Sequence, residues 1–345
     1  MPKRKAVRKE RIYSDEVVER EAAKFGRDLN DALNEVAASA RSESVLRSIQ
    51  AGDAAAAVAA VNLDPMRLAI GGQQDRLGGE YLRQALITAG KMTAPQAILH
   101  FDMIEPQAVN YAAQRAGALI SHVQQQVRDT VNGLVVDALQ GDYTARTLAQ
   151  QIERAIPLTA RQAQTAKNVY TKTFERLVAE GKKVERAELL AQRASAKSAA
   201  NALKSRASGI ARTELMSASN AGRFSGFSST IASGLDSKES RKEWITGGDP
   251  CPICDPLEGE TVQWDEEFSV GLLMPPAHPN CRCVGVFLPG KRTQKQLHRD
   301  GTYSFDPTLG QSIRLAQISR EYIHGRLSKV AHDEAWDSIL NFRRL

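Results

Sequence analysis

The stretch ERAELLAQRASAKSAANALKSRASGIARTELMSASNAGRFSGF, residues 185–227, decides how the chain is read. It is basic and rich in Ala and Ser. Alanine is the strongest helix former, so the stretch predicts one long helix. Alanine is abundant throughout residues 1–230, which points to helices packed closely through small side chains. Upstream, Thr159 is placed to cap ARQAQTAKNVYTKTFERLVAEG, and Pro157 breaks the helix before it. Gly141-Asp142 ends a helix predicted from Pro106 to Gln140. The apolar stripe of that helix is Ile120, Val123, Val127, Val131, Leu134 and Ala138. Thr144 is placed to cap the helix that follows.

Further toward the N-terminus, Asp64-Pro65 stops a short Ala-rich helix. IGGQQDRLGG reads as a loop or a weak helix between glycine pairs, with a helix from Gly79 to about Ala89 after it. Ser14 is a plausible N-cap for a long helix. Its stripe of Val18, Ala22, Phe25, Leu29, Leu33 and Val36 recurs at spacings of four and three. The near-heptad period suits packing within the subunit or against a partner chain, including a second copy.

After Gly234 the character changes. KEWITG (242–247), ETVQW (260–264) and CVGVFLP (283–289) read as short strands of a small module. A polar linker and helical patterns follow from Lys291. The fold expected is therefore mainly α: an elongated helical body with a small Cys-rich mixed α/β module near the C-terminus and a helical tail. The divisions expected are a basic flexible arm (1–13), the helical body (14–234), the module (235–290) and the linker with its tail (291–345).

The net charge is +6; residues 1–12 carry +5 and residues 161–212 carry +8, which leaves −7 on the rest. Two basic zones on an acidic body suit a polyanion. Lys3, Arg4, Lys5, Arg8 and Lys9, then Lys182, Lys183, Arg193, Lys197, Lys204 and Arg206, are the candidates for sequence-independent contact with a nucleic-acid backbone. The alternative for each is an ordinary solvated cation. No apolar run is long enough to span a membrane, and MPKRKAVRKERIY lacks the apolar core of a secretory signal. A chain made in a cytosol is expected.

All four cysteines fall within residues 251–283. Cys251 and Cys254 form a C-x₂-C pair; Cys281 and Cys283 form a C-x-C pair preceded by His278. Such pairs converge on a tetrahedral ion, with Cys₄ or Cys₃His ligation both open and zinc the natural ion. Disulfides or free thiols are the alternatives. Catalytic zinc is disfavoured: PCPIC matches half of a zinc deaminase motif, but no H-x-E precedes it and no H-E-x-x-H occurs. A zinc-supported nuclease using His278 and Asn280 is the enzyme alternative. A DNA-binding adaptor outside assembly is another.

Three segments in order, IARTELMSASNAGRF (210–224), KEWITGGDPCPIC (242–254) and MPPAHPNCRC (274–283), resemble the head-morphogenesis, or minor head protein, family of tailed phages and prophages, the Mu F-like group. The match is closest over about residues 140–290. The resemblance implies a non-enzymatic virion protein at the capsid interior or portal vertex, acting in assembly and in DNA packaging or delivery. The partners implied are the portal, then DNA, then scaffold or major capsid protein. Arg212 and Glu214, with Trp244, are expected to buttress the Cys-rich module rather than to catalyse. Asn220 and Arg223 stand in the same motif as Arg212 and Glu214.

Overall fold

A computed structural model describes residues 2–92, 101–140, 154–232, 239–288, 290 and 308–340. The chain is mainly α. Its helices are α1 (Pro2–Ser39), α2 (Glu43–Gln50), α3 (Ala54–Ala60), α4 (Asp64–Gly71), α5 (Gln74–Met92), α6 (Phe101–Gln140), α7 (Ala160–Ala179) and α8 (Val184–Ala232). A small sheet follows, of β1 (Arg241–Ile245), β2 (Thr261–Gln263) and β3 (Val284–Leu288), then α9 (Leu309–Ile323) and α10 (Lys329–Leu340). Two compact units form, and neither is continuous in sequence. Unit 1 takes residues 1–23, 73–116 and 210–345; unit 2 takes 24–72 and 117–209. The division falls inside α1, α6 and α8, so each of these contributes to both units. The linear segmentation expected from composition differs from this. Periodicity reports a helix but not which helices share a core.

The basic stretch before Ser14, expected as a flexible arm, is helical, since α1 starts at Pro2. Lys, Arg, Ala and Glu are good helix formers, and Pro is tolerated in a first turn. Ser14 is thus interior to the helix. The stripe from Val18 to Val36 is buried within the chain, with Leu29, Leu33 and Val36 all at 0% exposure. That stripe is thus used in packing within the subunit.

In unit 2, Thr159 caps α7 through a capping box with Gln162. Gly181, at φ +77°, makes the turn into α8. Cross-bonds then tie the hairpin together: Ser195 Oγ donates to the Ala166 carbonyl at 2.9 Å. On α6, Val123, Val127, Val131 and Leu134 are buried as expected, with Leu119 on the same face and Ile120 only half-buried. The side chain of Ala138, and Gly141, Asp142 and Thr144, lie outside the described residues.

In unit 1, α5 runs straight through Gly78-Gly79 instead of looping there. These glycines are contact positions: a Cβ on Gly79 would stand 2.7 Å from Ile313 Cα of α9. The tail therefore folds back. Thr308 caps α9 with Gln311, and Leu315, Ala316 and Trp336 join Tyr81, Leu82, Ala85 and Leu86 in one core. The linker, residues 291–307, is outside the described residues.

Candidate metal centre

The sheet of the Cys-rich module has the order β2-β1-β3, antiparallel throughout, with Trp244 opposite Gly285. Trp244 is fully buried and meets Phe268 edge-on, with ring centroids 5.1 Å apart. Around it lie Cys254, Leu257, Cys281 and Cys283. The core is small, and thiols make up half of its buried side chains: Cys254, Cys281 and Cys283 against Trp244, Leu257 and Phe268. Carboxylates fasten the loops around it. Glu258 accepts from the Thr246 amide and hydroxyl, both at 2.6 Å.

The five sequence-predicted donors come together. Cys251, Cys254 and His278 form one group, and Cys254, Cys281 and Cys283 form another; within each group the ligand atoms lie within 4.8 Å. The cysteines are not disulfide-bonded. Cys254 Sγ is 3.8 Å from Cys281 Sγ. With metal–sulfur bonds of about 2.3 Å, a tetrahedral shell has a sulfur–sulfur edge of about 3.8 Å. His278 Nε2 lies 3.1 Å from both Cys251 Sγ and Cys254 Sγ. Its Nδ1 is 2.8 Å from the Pro279 carbonyl. A carbonyl can only accept, so Nδ1 carries the proton and Nε2 offers its lone pair, as in metal-bound histidines.

The thiols cannot all ionise without a cation. A hydrogen bond from Cys283 draws Cys281 down to about 5, whereas burial pushes Cys254 up to about 12. The donor set, sulfur-rich with one oriented imidazole, fits zinc. The ion would contribute folding energy by joining loops far apart in sequence.

Helix α8 carries the module. Asn220 is fully buried; its Nδ2 donates to the Cys283 carbonyl at 3.2 Å, and its Oδ1 accepts from the Gly285 amide at 3.0 Å. This amide extends the bonding of β3 as a neighbouring strand would. Thr213 Oγ1 accepts from the Asn280 amide at 2.9 Å. Asn280 sits between two candidate ligands in the left-handed region, at φ 67°. Arg212 donates to Asn280 Oδ1 and forks onto Glu19 of α1 at 2.8 and 2.7 Å. Arg212→Met should therefore cost about 1.5–3 kcal/mol, the range for hydrogen bonds to charged groups, read by chemical denaturation. Metal content should be unchanged.

Glu214 does not reach the module. It is bonded to Arg115 of α6 by two bonds of 2.8 Å. Residues two apart on a helix face different ways, so Arg212 and Glu214 serve different neighbours. Asn220 had a detectable signal, a lone amide on the face that bears Met216 and Phe227. Arg115 and Glu19 had none beyond charge.

The basic candidates separate. The side chains of Lys3, Arg4, Lys5, Arg8 and Lys9 lie outside the described residues. Lys182, Lys183, Arg193, Lys197 and Lys204 are exposed. Arg206 is not a surface cation: it is 8% exposed and donates to the Pro157 carbonyl and Gln126. Burial draws its pKa down to about 10. Charge alone could not distinguish a structural arginine from a surface one.

No curated protein and no solved structure gives a significant match. Residues 109–286, more than half of the chain, match the family described as phage Mu protein F like protein. That span includes α7, α8 and every residue of the Cys/His cluster. The chain therefore belongs to the phage Mu protein F-like family.

Proposed function

We propose that the chain is a structural minor head protein of a tailed phage or prophage, located at the portal vertex or capsid interior. It acts in capsid assembly, DNA packaging or delivery, binds the portal, and turns over no substrate. Scaffold or major capsid protein would be further partners. The Cys-rich module is stapled by one zinc ion. The family match carries this reading, because it spans both the basic helix and the metal module. The nuclease alternative needs His278 and Asn280, and both are already engaged, one facing two thiols and one held by Arg212 and Thr213.

DNA binding is assigned to α8. Arg186, Arg193, Lys197 and Lys204 are all exposed. At 3.6 residues per turn they fall within about 20° of one line along about 27 Å of helix. Glu185 and Glu188 point well away from that line. A file of cations without acids suits a phosphate backbone and reads no sequence. The cations of the first three turns of α1 are assigned to the same partner on charge.

Two measurements test the reading. The purified protein should bind a purified portal ring and leave DNA uncut. Binding to duplex DNA should weaken with salt, and replacing the four ridge cations by Gln should flatten the log–log slope by about 0.9 for each phosphate that is no longer neutralised. Arg206→Met should leave that slope alone. It should instead cost about 1–3 kcal/mol of stability, because the Pro157 carbonyl loses its donor. Loss of portal binding together with an unchanged salt slope in the ridge variant would sink the proposal.

A further inference from the structure

We infer that the metal is held by Cys251, Cys254, His278 and Cys281, and that Cys283 is a spare thiol behind the shell. Five donors compete for the four positions of a tetrahedral zinc ion. This inference rests on the metal-stapled reading above and goes on to choose among them.

The backbone makes the choice. Cys254 N donates to the Cys251 carbonyl at 2.9 Å, closing a tight turn that presents both thiols on one side. Cys281 N donates to the His278 carbonyl at 3.2 Å. The second half-site is therefore also a turn with two residues between its donors, H-x₂-C rather than C-x-C. The two turns match in length and in their closing bond, and each delivers a pair of ligands. Cys283 lies outside the second turn, at the entry to β3.

Two further observations agree. The imidazole is oriented before any ion arrives, since Pro279 O fixes Nδ1–H and Nε2 faces Cys251 and Cys254. Of the two remaining thiols, Cys281 stands at the tetrahedral edge distance from Cys254, 3.8 Å. Cys283 keeps its sulfur within 4.8 Å of those of Cys254 and Cys281; its carbonyl accepts from Asn220, and the Gly285 amide two residues on donates to the same side chain. Both segments are tied to α8, the His278–Cys281 turn through Asn280 to Thr213 and Arg212 and Cys283 through Asn220, so the choice rests on the matched turns. Cys283 then fills the core beside Trp244 and Cys254 as a small apolar side chain.

X-ray absorption on the full-length protein purified with zinc tests the assignment without any variant. The expected shell is three sulfurs at about 2.3 Å and one nitrogen at about 2.0 Å. Cys283→Ser should keep about one zinc per chain, and His278→Ala and Cys281→Ser should each lose most of theirs. A four-sulfur shell would overturn the ligand set, as would zinc lost from Cys283→Ser but kept in His278→Ala. A wild-type protein that takes up no zinc would instead remove the metal reading itself. If Cys281→Ser does not fold, the absorption result on the wild type still decides.

Discussion

Cys254→Ser should abolish metal binding and unfold the Cys-rich module while leaving unit 2 folded. Cys254 is the one residue common to both donor groups, and it is 2% exposed. The core around the thiols is small, with one tryptophan, one phenylalanine and one leucine as its large side chains, and the module's other apolar contact is Trp264 and Phe287 against Phe227 of α8. Structural zinc contributes apparent binding energies of about 10–16 kcal/mol in small zinc domains, far more than such a core supplies. Hydrogen exchange should show β1, β3 and the 251–283 loops losing protection, with α7 and the first part of α8 unaffected. Chelation of the wild type should reproduce this pattern. Unchanged protection in the variant would mean that the module is held by packing.

The second large effect is steric. Gly222 and Gly226 are one turn apart on α8, and both press against α5. A Cβ on Gly222 would stand 2.1 Å from the Tyr81 carbonyl oxygen, and one on Gly226 would stand 2.3 Å from that of Ala85. Both neighbours are backbone, so no side chain can swing aside. The helices would have to separate by about 1 Å or more along a packed face. Gly222→Ala should cost about 3 kcal/mol or more, at or above the upper end for overpacking, and Gly226→Ala a similar amount. Gly133 is the control. It is exposed on α6 with nothing within 4 Å of a Cβ, so Gly133→Ala should stabilise by up to about 1 kcal/mol. Thermal unfolding of the three variants checks both signs. A stable Gly222→Ala protein would show that α5 and α8 do not meet at this distance.

These glycines also show how a correct rule can mislead. Gly78-Gly79 reads as a break in a helix, because glycine lowers helix propensity. In the folded chain the same residues let α9 lie against α5. Only the presence of a neighbour separates the two meanings, and no local pattern contains it. The strands were legible for the opposite reason. Trp244, Val262 and Phe287 stand in runs of β-branched and aromatic residues bounded by Gly and Pro, and such residues are enriched in strands.

The candidate site was legible in its members and not in its pairing. Four thiols and a histidine within residues 251–283 announce a shared ligand. C-x-C is the natural grouping by adjacency, yet the turn closed from Cys281 to the His278 carbonyl groups His278 with Cys281. The basic zone behaved likewise. Arg206 sits among surface cations in the sequence but is bonded inside unit 2, and Arg186 completes a ridge that counting charge did not single out.

By itself the sequence determined the helical class, the cap at Thr159, the three strands, the cluster of donors and the family motifs. Each rests on interactions within a few residues, where propensity, period and spacing act. The tertiary structure alone decided that α1, α6 and α8 are shared between two units, and that Glu214 answers to Arg115 while Arg212 answers to Glu19 and Asn280. It also decided which glycines are points of close approach. Those outcomes depend on which surfaces meet across long separations in the chain, and burial and steric fit settle them only once the whole core has formed.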